Sequence, residues 1–467
     1  MSVVDQSARS GLRRWAAWGR LAVTVMWGAA LALPALAQQR VGEVDFARGV
    51  GFAQLQGQAP RTLGKGLPLN EGDRLSTGAA SFAIVKLNDG TRMTLRPNSD
   101  LLLRTFRFRE NATDNSMVTQ LFRGGFRAIT GLINKTSPNA AQVQTATATI
   151  GIRGTDFDAR LCAASECREE STRVAQPTRP NAVQASAKLA VMRGDVYAED
   201  GAGARRRLAL GGPVYPGDVV ETGAGTFALL VFRDQSRTAL AANSRLKVEN
   251  FVFDAKSPAE GSFLVRLARG SMRALTGVIG RANPNRVGIA TATATIGIRG
   301  TGFDIVCTGV CAGEAGPAGS GLTLYTWEGT VAVTPAGGGE ELVGQGQGLH
   351  VGPAGVRRLD AGPQIDAPRP DEVQVDLDAL FGTEPLGDDP EGLYVYVRDG
   401  HVEIATAGEV LQLGRGEAGW ASPGGETKRP AALPLFIEFD RTPLPDVEHP
   451  ALYSLLSDLL PGAEVCR

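Results

Sequence analysis

Four cysteines stand in two close pairs, each pair following one copy of a repeated stretch. Cys162 and Cys167 follow TATATIGIRGT at 145–155, and Cys307 and Cys311 follow the identical residues at 291–301. Cysteines at such spacing either form disulfides or bind a metal as thiolates. Two local pairs favour two disulfides, each closing a turn at a strand end. The alternative, one zinc ion on four thiolates, requires both copies to converge.

The other residue types that perform chemistry are sparse. The 3 histidines, His350, His401 and His449, lie outside any metal-ligand spacing, and no G-x-S-x-G nucleophile motif is present. The stretch GQGQG at 344–348 has no helix after it, so glycine-rich β turns explain it better than a dinucleotide loop does. We therefore predict no enzymatic activity, no cofactor and no metal site, with an envelope hydrolase that lacks a visible motif as a minor alternative.

Charged residues flank a glycine of the repeated stretch in both copies. An arginine at such a place either pairs with a carboxylate or backbone carbonyl of the protein, or receives a carboxylate-bearing ligand. The first interpretation is structural and the second functional, and we favour the structural one. The residues concerned are Gly151, Arg153, Gly154, Thr155 and Asp158 in the first copy, and Gly297, Arg299, Gly300, Thr301 and Asp304 in the second.

The apolar alternation around these residues predicts a bulged strand. Ala146, Ala148, Ile150 and Ile152 fall on one face, and after Gly154 the apolar residues change phase to Phe157, Ala159 and Leu161. A shift of one residue would expose a whole apolar face unless a bulge absorbs it. The second copy has the same pattern, so we predict bulges at Gly154 and at Gly300.

The repeat extends over whole domains. TGAASFAIVKLNDGTRMTLRPNSDLLL (77–103) matches TGAGTFALLVFRDQSRTALAANSRLKV (222–248), and a period this long indicates tandem domains rather than a solenoid. Short alternating runs separated by turn signals, such as Asn88-Asp89-Gly90, predict β-hairpins. We predict an all-β fold: tandem duplicated β-sandwich or barrel-like domains with hairpin extensions and a short C-terminal helix.

A shorter repeat links two distant hairpins. GLTLYTWEGTVAV (321–333) resembles GLYVYVRDGHVEI (392–404), with expected turns at Glu328-Gly329 and Asp399-Gly400. We expect the first hairpin to complete the second large domain, and the other to extend the sheet or to begin a small third unit. The first domain lacks a closing hairpin directly after its cysteines.

The N-terminus has the layout of a secretory signal peptide. Arginines precede an apolar run at 21–33, and ALA at 35–37 offers a cleavage site after Ala37. The alternative is an uncleaved membrane anchor. Cleavage changes the net charge from −1 to −4, which argues against nucleic acid as a partner. We expect a periplasmic or secreted protein with no membrane span after cleavage.

The C-terminal tail contains one helix pattern and one unpaired cysteine. Leu452, Leu455, Leu456 and Leu459 recur at helical spacing after Pro450. So short a helix must pack, either on its own β domain or in a partner's groove. The fifth cysteine, Cys466, is then either a free thiol or forms an intermolecular disulfide. The expected organisation is signal peptide 1–37, domain 1 at 41–167, linker 168–183, domain 2 at 184–352, linker 353–390, β-hairpin unit 391–423 and proline-rich tail 424–467.

The repeated motifs resemble those of the FecR domain, named for a bacterial regulator of iron-citrate uptake. GDRLSTG (72–78) with ATIGIRGTDFD (148–158), and GDVVETG (217–223) with ATIGIRGTGFD (294–304), carry the resemblance. It implies an extracytoplasmic, β-rich, non-enzymatic domain used in signalling and protein contacts. Only about twenty residues precede the apolar run, so we expect no cytoplasmic module that binds a sigma factor.

We therefore expect an exported binding or scaffold protein of cell-envelope signalling, whose partner is an envelope receptor or sensor. The alternative is a structural or adhesive surface protein that binds cell wall or polysaccharide.

Overall fold

The computed structural model describes residues 39–136, 140–317 and 319–459. The predicted signal peptide at 1–37 and Cys466 lie outside the described residues.

The described residues of the first half of the chain form eleven strands and two short helices. The strands are β1 (Arg40–Arg48), β2 (Gly51–Gln54), β3 (Arg61–Thr62), β4 (Pro68–Asn70), β5 (Arg74–Thr77), β6 (Phe82–Leu87), β7 (Arg92–Leu95), β8 (Asp100–Arg107), β9 (Ser116–Ile129), β10 (Ala141–Gln144) and β11 (Thr149–Cys162). The helices are α1 (Leu132–Thr136) and α2 (Glu166–Thr172), the second of which runs from the end of the expected domain 1 into the expected linker 168–183.

The second half repeats this succession. Its strands are β12 (Ala187–Arg193), β13 (Val196–Glu199), β14 (Arg205–Leu208), β15 (Pro213–Val214), β16 (Val219–Thr222), β17 (Phe227–Phe232), β18 (Arg237–Leu240), β19 (Arg245–Val252), β20 (Ser262–Leu275), β21 (Val287–Ala290), β22 (Ala294–Cys307), β23 (Leu322–Pro335), β24 (Glu341–Gly344), β25 (Gln347–Gly352) and β26 (Gly355–Leu359). Helix α3 (Val278–Ala282) and the 3-10 turns Pro258–Glu260, Pro284–Arg286 and Gly309–Ala312 lie between them.

The remainder of the described chain adds four strands and three helices. They are α4 (Leu377–Phe381), β27 (Gly392–Ala405), β28 (Val410–Gly414), β29 (Ala418–Ala421), β30 (Thr427–Lys428), α5 (Leu435–Glu438) and α6 (Pro450–Leu459). With this predominance of strands the predicted all-β class is confirmed.

Two sheets of fifteen strands carry the duplication, and their strand orders are the same. The first runs β3-β2-β5-β8-β9-β10-β11-β27-β29-β30, and the second runs β14-β13-β16-β19-β20-β21-β22-β23-β25-β26. Each sheet folds over on itself through one long strand. The strand β9 pairs with β8 and β10 through its first half and with β7 and β11 through its second half.

The first sheet is completed by strands from the far end of the sequence. The strand β27 pairs with β11 along its whole length, just as β23 pairs with β22 in the second sheet. The unit expected at 391–423 therefore belongs to the first domain's sheet, and the second domain is inserted between β11 and β27. The first domain's apolar core includes Leu393, Val395 and Leu413 from these late strands.

The structure corrects two local expectations from the sequence. Residues 145–148 form the turn between β10 and β11, closed by a hydrogen bond from Thr145 N to Ala148 O (2.9 Å), so Ala146 is exposed rather than inward-facing. The predicted hairpin turns at Glu328-Gly329 and Asp399-Gly400 are also wrong, because β23 and β27 continue through them. Both strands stay paired with β22 or β11 on either side of these residues, with only a shift of register between them, so the chain does not reverse there.

The expected linker at 353–390 is packed on the second domain. Val373, Val375, Leu377, Leu380 and Phe381 lie against Leu229, Val231 and Ala239 of the second sheet. This contact removes apolar surface from water on the outer side of that sheet, opposite its main core.

Candidate functional site

The repeated stretch forms a bulge in each domain. Gly154 and Gly300 have φ of 59° and 68°, a left-handed conformation that favours glycine. The register of β11 with β27 shifts between Arg153 and Asp156, and that of β22 with β23 shifts between Arg299 and Gly302. The two predicted bulges are confirmed.

The aspartate that follows each bulge is paired inside its own domain. Asp158 lies 2.9 Å from Arg127 Nε and accepts a hydrogen bond from Arg398 at 2.7 Å. Asp304 accepts a hydrogen bond from Trp327 Nε1 at 3.2 Å and lies 3.9 Å from Arg273. These partners occupy the same places in the two domains. Both carboxylates are buried, so this arrangement fits the structural role that the sequence favoured for the motif.

A C-terminal segment covers the paired aspartate of the first domain. Asp440 forms ion pairs with Arg96 and, at 3.4 Å, with Arg127, which also donates to Thr442 O. Burial alone would raise the pKa of Asp440, but the attraction of Arg96 and Arg127 outweighs it and the pKa is lowered. In the second domain, Arg273 donates to Ile365 O in the corresponding way.

The early Gly-Asp motif also has one role in both domains. Asp73 accepts from Asn70 N at 2.7 Å and from Arg61 at 2.6 Å. Asp218 accepts from Tyr215 N at 2.8 Å and also pairs with Arg206. Each aspartate therefore closes its own turn and holds an arginine of an earlier strand, β3 or β14.

The two domains meet at a buried group of three charges. Lys188 Nζ of the second domain donates to Glu417 Oε2 at 3.0 Å, and Arg429 Nε donates to the same oxygen at 2.9 Å. The side chains of Lys188 and Glu417 are 0% exposed. Burial lowers the pKa of Lys188 to about 8, although Glu417 opposes the shift. Lys188 also donates to Gln412 O at 3.2 Å, so the second domain is bound directly to the late strands.

Beside this contact a cleft of about 620 Å³ opens between the domains. The first domain contributes the bulge at Arg153 and Gly154 together with Asn134 of α1. The late strands contribute Asp399, Gly400, His401 and Arg415, and the second domain contributes residues from Asp200 to Asp218. The late motif of one copy and the early motif of the other thus meet at one place.

Arginines dominate the charge of the cleft. Five of them, Arg153, Arg205, Arg206, Arg207 and Arg415, line it together with the three aspartates Asp200, Asp218 and Asp399. Three of the arginines already have acidic partners: Arg205 lies 3.3 Å from Glu221, Arg206 pairs with Asp218, and Arg207 pairs with Asp195. Among the described residues, no carboxylate lies within ion-pair distance of Arg153 or Arg415.

Three side chains of the cleft also contain buried polar atoms without a protein partner. They are Arg153 Nε, His401 Nε2 and both polar atoms of the Asn134 amide. Burial, with the positive charges of Arg153 and Lys188, lowers the pKa of His401 to about 3, so its imidazole is neutral at pH 7. Burial also lowers the pKa of Arg153, and the nearby Arg207 adds to this shift.

The structure therefore separates the predicted motif residues. Arg153 and Gly154 line the cleft, whereas Asp158 and Asp304 lie in buried ion pairs. The bulge at Gly300 belongs to the second domain and does not line the cleft. Both predicted disulfides are present, Cys162–Cys167 and Cys307–Cys311, with Cα–Cα distances of 5.7 and 5.2 Å.

Sequence reasoning missed the second domain's contribution to the cleft. The run Arg205-Arg206-Arg207 stands where the first copy has Pro60-Arg61-Thr62, and this difference between otherwise matched copies was a usable signal. Asn134 and Arg415 gave no such signal. The described residues contain no group of three or more metal-ligating side chains, and none of their helices has the length and apolarity needed to cross a bilayer.

Comparison with known protein families agrees with the repeated motifs. The family model described as FecR protein matches residues 73–196 and 218–331, more than half of the chain. The chain belongs to the FecR protein family. Both matched regions contain one early Gly-Asp aspartate and one late bulge, so the family match covers both copies of the FecR domain.

Solved structures give a weaker similarity. Two crystal structures of a candidate anti-sigma factor from Parabacteroides distasonis ATCC 8503 match at 13% identity, with 46% of this chain and 60% of that chain covered. Their TM-score is 0.15. No curated protein matches the chain.

Proposed function

We propose that this FecR protein is an exported, non-enzymatic binding or scaffold component of cell-envelope signalling. The observation that carries the proposal is the FecR family match over two regions of the chain, residues 73–196 and 218–331. The structure adds a physical reason for a scaffold role. The insertion of one domain into the other and the buried Lys188–Glu417–Arg429 group hold the two FecR surfaces in a fixed relation.

The cleft supports binding rather than catalysis. Of its three carboxylates, Asp218 is neutralised by Arg206, and Asp200 accepts backbone N–H groups of its own turn from Ala202 and Ala204. Two carboxyl groups that act as general acid and general base must both be available to one substrate. Of these three carboxylates, Asp399 alone has neither an ion pair nor a hydrogen bond of this kind among the described residues.

Export is tested with a reporter that is active only outside the cytoplasm. Alkaline phosphatase fused after residue 459 is expected to be active in cells, and deletion of residues 1–37 is expected to abolish that activity. Equal activity of the two fusions would contradict export by this segment.

The signalling role is tested by capture of the partner. Cross-linking of the tagged chain in intact cells, followed by purification, is expected to recover one envelope receptor or sensor reproducibly. Glu417→Gln is compared with the natural chain in the same experiment. It weakens the contact between the two domains but changes no exposed residue of either FecR domain. Capture of no specific protein, together with sedimentation of the chain with purified cell wall, would favour the adhesive alternative.

A further inference from the structure

We propose that the cleft between the two domains binds a small organic anion, with a carboxylate or phosphate group held by Arg153 and Arg415. This goes beyond the proposed signalling role, since nothing in the family match concerns the space between the two FecR domains. The chemistry of the lining residues carries the proposal.

Arg153 brings to the cleft a positive charge that no carboxylate of the described residues pairs with. The guanidinium of Arg153 is half-buried on the bulged strand β11, and its nearest acidic influence is Glu403, whose carboxylate already accepts from Gln412 Nε2 at 2.8 Å. A cation held in a partly dehydrated place is unfavourable unless an anion compensates it. A carboxylate or phosphate matches the planar donor fork of arginine.

The cleft also contains buried polar atoms that have no hydrogen-bond partner among the described residues. A buried hydrogen-bonding group without a partner is uncommon in a native protein. The cleft brings three such side chains together, those of Asn134, Arg153 and His401. The amide of Asn134 can both donate and accept, and a neutral imidazole can do either, so these side chains suit hydroxyl or amide groups of the ligand.

A second arginine of the cleft, Arg415, is already held in place by protein contacts. Arg415 stacks on the ring of Tyr215 at 4.5 Å, and its backbone N donates to the Tyr215 hydroxyl at 2.8 Å. Arg206 stacks on the same ring at 5.6 Å. Tyr215 therefore holds Arg415 of the late strands against the second domain, so the entropy cost of ordering this side chain is met before the ligand binds.

Size and net charge agree with this class of ligand. A volume of about 620 Å³ lies in the range of small-molecule sites. The five arginines exceed the three aspartates of the lining, and the exposed Asp399 offers an acceptor for ligand hydroxyl groups. A sugar phosphate or a sugar acid has the required combination of one anionic group and several hydroxyls.

The test measures binding of four probes to the purified chain by isothermal titration calorimetry. Glucose 6-phosphate and gluconate represent the phosphate and carboxylate forms, inorganic phosphate represents the anion alone, and glucose is the neutral control. We expect glucose 6-phosphate or gluconate to bind, the better of the two identifying the anionic group, and glucose not to bind. Binding of glucose as tight as that of the anions, or binding of none of the four, would overturn the proposal.

Three variants locate the site. Arg153→Gln and Arg415→Ala are each expected to weaken the anion's affinity about tenfold, the effect of losing one charge-assisted hydrogen bond. Asn134→Ala keeps the charge and is expected to weaken glucose 6-phosphate or gluconate more than inorganic phosphate. The matched control is Arg299→Gln, at the same motif position of the second domain, which is expected to bind as the natural chain does.

The variants also separate folding from binding. Because Arg415 is exposed, its variant is expected to keep the unfolding midpoint of the natural chain, and this is checked by circular dichroism. Unchanged anion affinity in both Arg153→Gln and Arg415→Ala would place the binding elsewhere and overturn the proposal. That result would leave the signalling role intact, because partner capture tests that role separately.

Discussion

Two glycines on neighbouring strands make the bulge of each FecR domain possible. Gly154 and Gly400 face each other across β11 and β27, and Gly300 and Gly329 do so in the second domain. All four have positive φ, but their surroundings differ. A Cβ on Gly154 would meet nothing within 4 Å, whereas a Cβ on Gly400 would lie 2.2 Å from Gly154 O. Strand β11 thus needs glycine at position 154 only for its positive φ. Strand β27 needs glycine at position 400 both for its positive φ and because a side chain would not fit.

This difference predicts unequal costs for the same substitution. Gly154→Ala is expected to lower the free energy of unfolding by about 1 kcal/mol, the cost of a left-handed alanine. Gly400→Ala is expected to cost about 3 kcal/mol, because overlap with a backbone carbonyl is added to the strain. Urea denaturation of the two variants measures the difference. Equal losses would show that β27 moves away from β11 at little cost.

Asp156, inside the first bulge, gives a prediction about pH. Burial raises its pKa to about 6, and Asp158 and Asp446 add to the effect against Arg398. Between pH 4 and 6 the native state therefore binds more protons than the unfolded state, so the contribution of Asp156 to stability falls as the pH rises through 6. Asp156→Asn is expected to be more stable than the natural chain by about 1 kcal/mol at pH 7.5, after allowance for solvent screening, and to show little difference at pH 4.

Asp158→Asn is the control for that measurement. It removes the carboxylate that compensates Arg127 and Arg398, so at pH 7.5 it is expected to destabilise the protein. Replacement of these two neighbouring aspartates by asparagine is thus expected to change the stability at pH 7.5 in opposite directions. A stabilising effect of Asp156→Asn that is equal at pH 4 and 7.5 would show that ionisation is not its cause.

At the scale of elements, the strands β27–β30 decide whether the first domain is complete. They cover the edge of β11, and Leu393, Val395 and Leu413 fill part of the core. Without them β11 would present unpaired backbone groups and an open apolar face. The second domain has its own closing strands and does not depend on them.

Truncation tests this dependence. A chain that ends after residue 360 is expected to keep a protease-resistant fragment of about residues 184–360, while the first domain is digested. Addition of a separate polypeptide covering residues 384–442 is expected to restore protection of the first domain. Two protected domains in the truncated chain would show that β1–β11 fold without the late strands.

The sequence contained most of the elements but not their connection. The alternation before and after Gly154 predicted the bulge, because a change of phase in apolar residues has few other structural causes. Similarity between 321–333 and 392–404 revealed two equivalent strands, yet local pattern does not show which edge a strand joins. The turn at Asp399-Gly400 was mispredicted for a related reason. A glycine with positive φ is compatible with both a hairpin turn and a paired bulge, and only the partner strand distinguishes them.

The cleft was least predictable, because its residues are brought together by the contact between domains. Arg153 was singled out by the repeat, whereas Arg415 and Asn134 lie in segments without a distinctive pattern. Lys188 lies in a mostly apolar strand, and nothing in the sequence around it indicates that its side chain pairs with the buried Glu417. Such positions depend on which surfaces meet, and the sequence of one strand does not contain that information.

At the scale of the whole molecule, the Lys188–Glu417–Arg429 group fixes the domain contact. It contains two cations and one anion, so its members are not equivalent. Loss of Glu417 would leave two buried cations without compensation, whereas loss of Lys188 would leave the Glu417–Arg429 pair neutral.

Glu417→Gln is accordingly expected to lower the free energy of unfolding by about 3 kcal/mol, and Lys188→Met by less than about 1 kcal/mol. Denaturant unfolding measures both variants, and small-angle scattering reports whether the domains separate. If Lys188→Met is as damaging as Glu417→Gln, the methylene and backbone contacts of Lys188, rather than the balance of charge, hold the interface.

The insertion of the second domain also determines the order in which the two domains can complete folding during biosynthesis. Domains of a growing polypeptide ordinarily mature in the order in which they leave the ribosome or the translocation channel. Here β11 must wait through the synthesis of the entire second domain before β27 emerges to cover it. The domain encoded first is therefore the last to mature, and until then its uncovered edge is open to a chaperone or to another nascent chain.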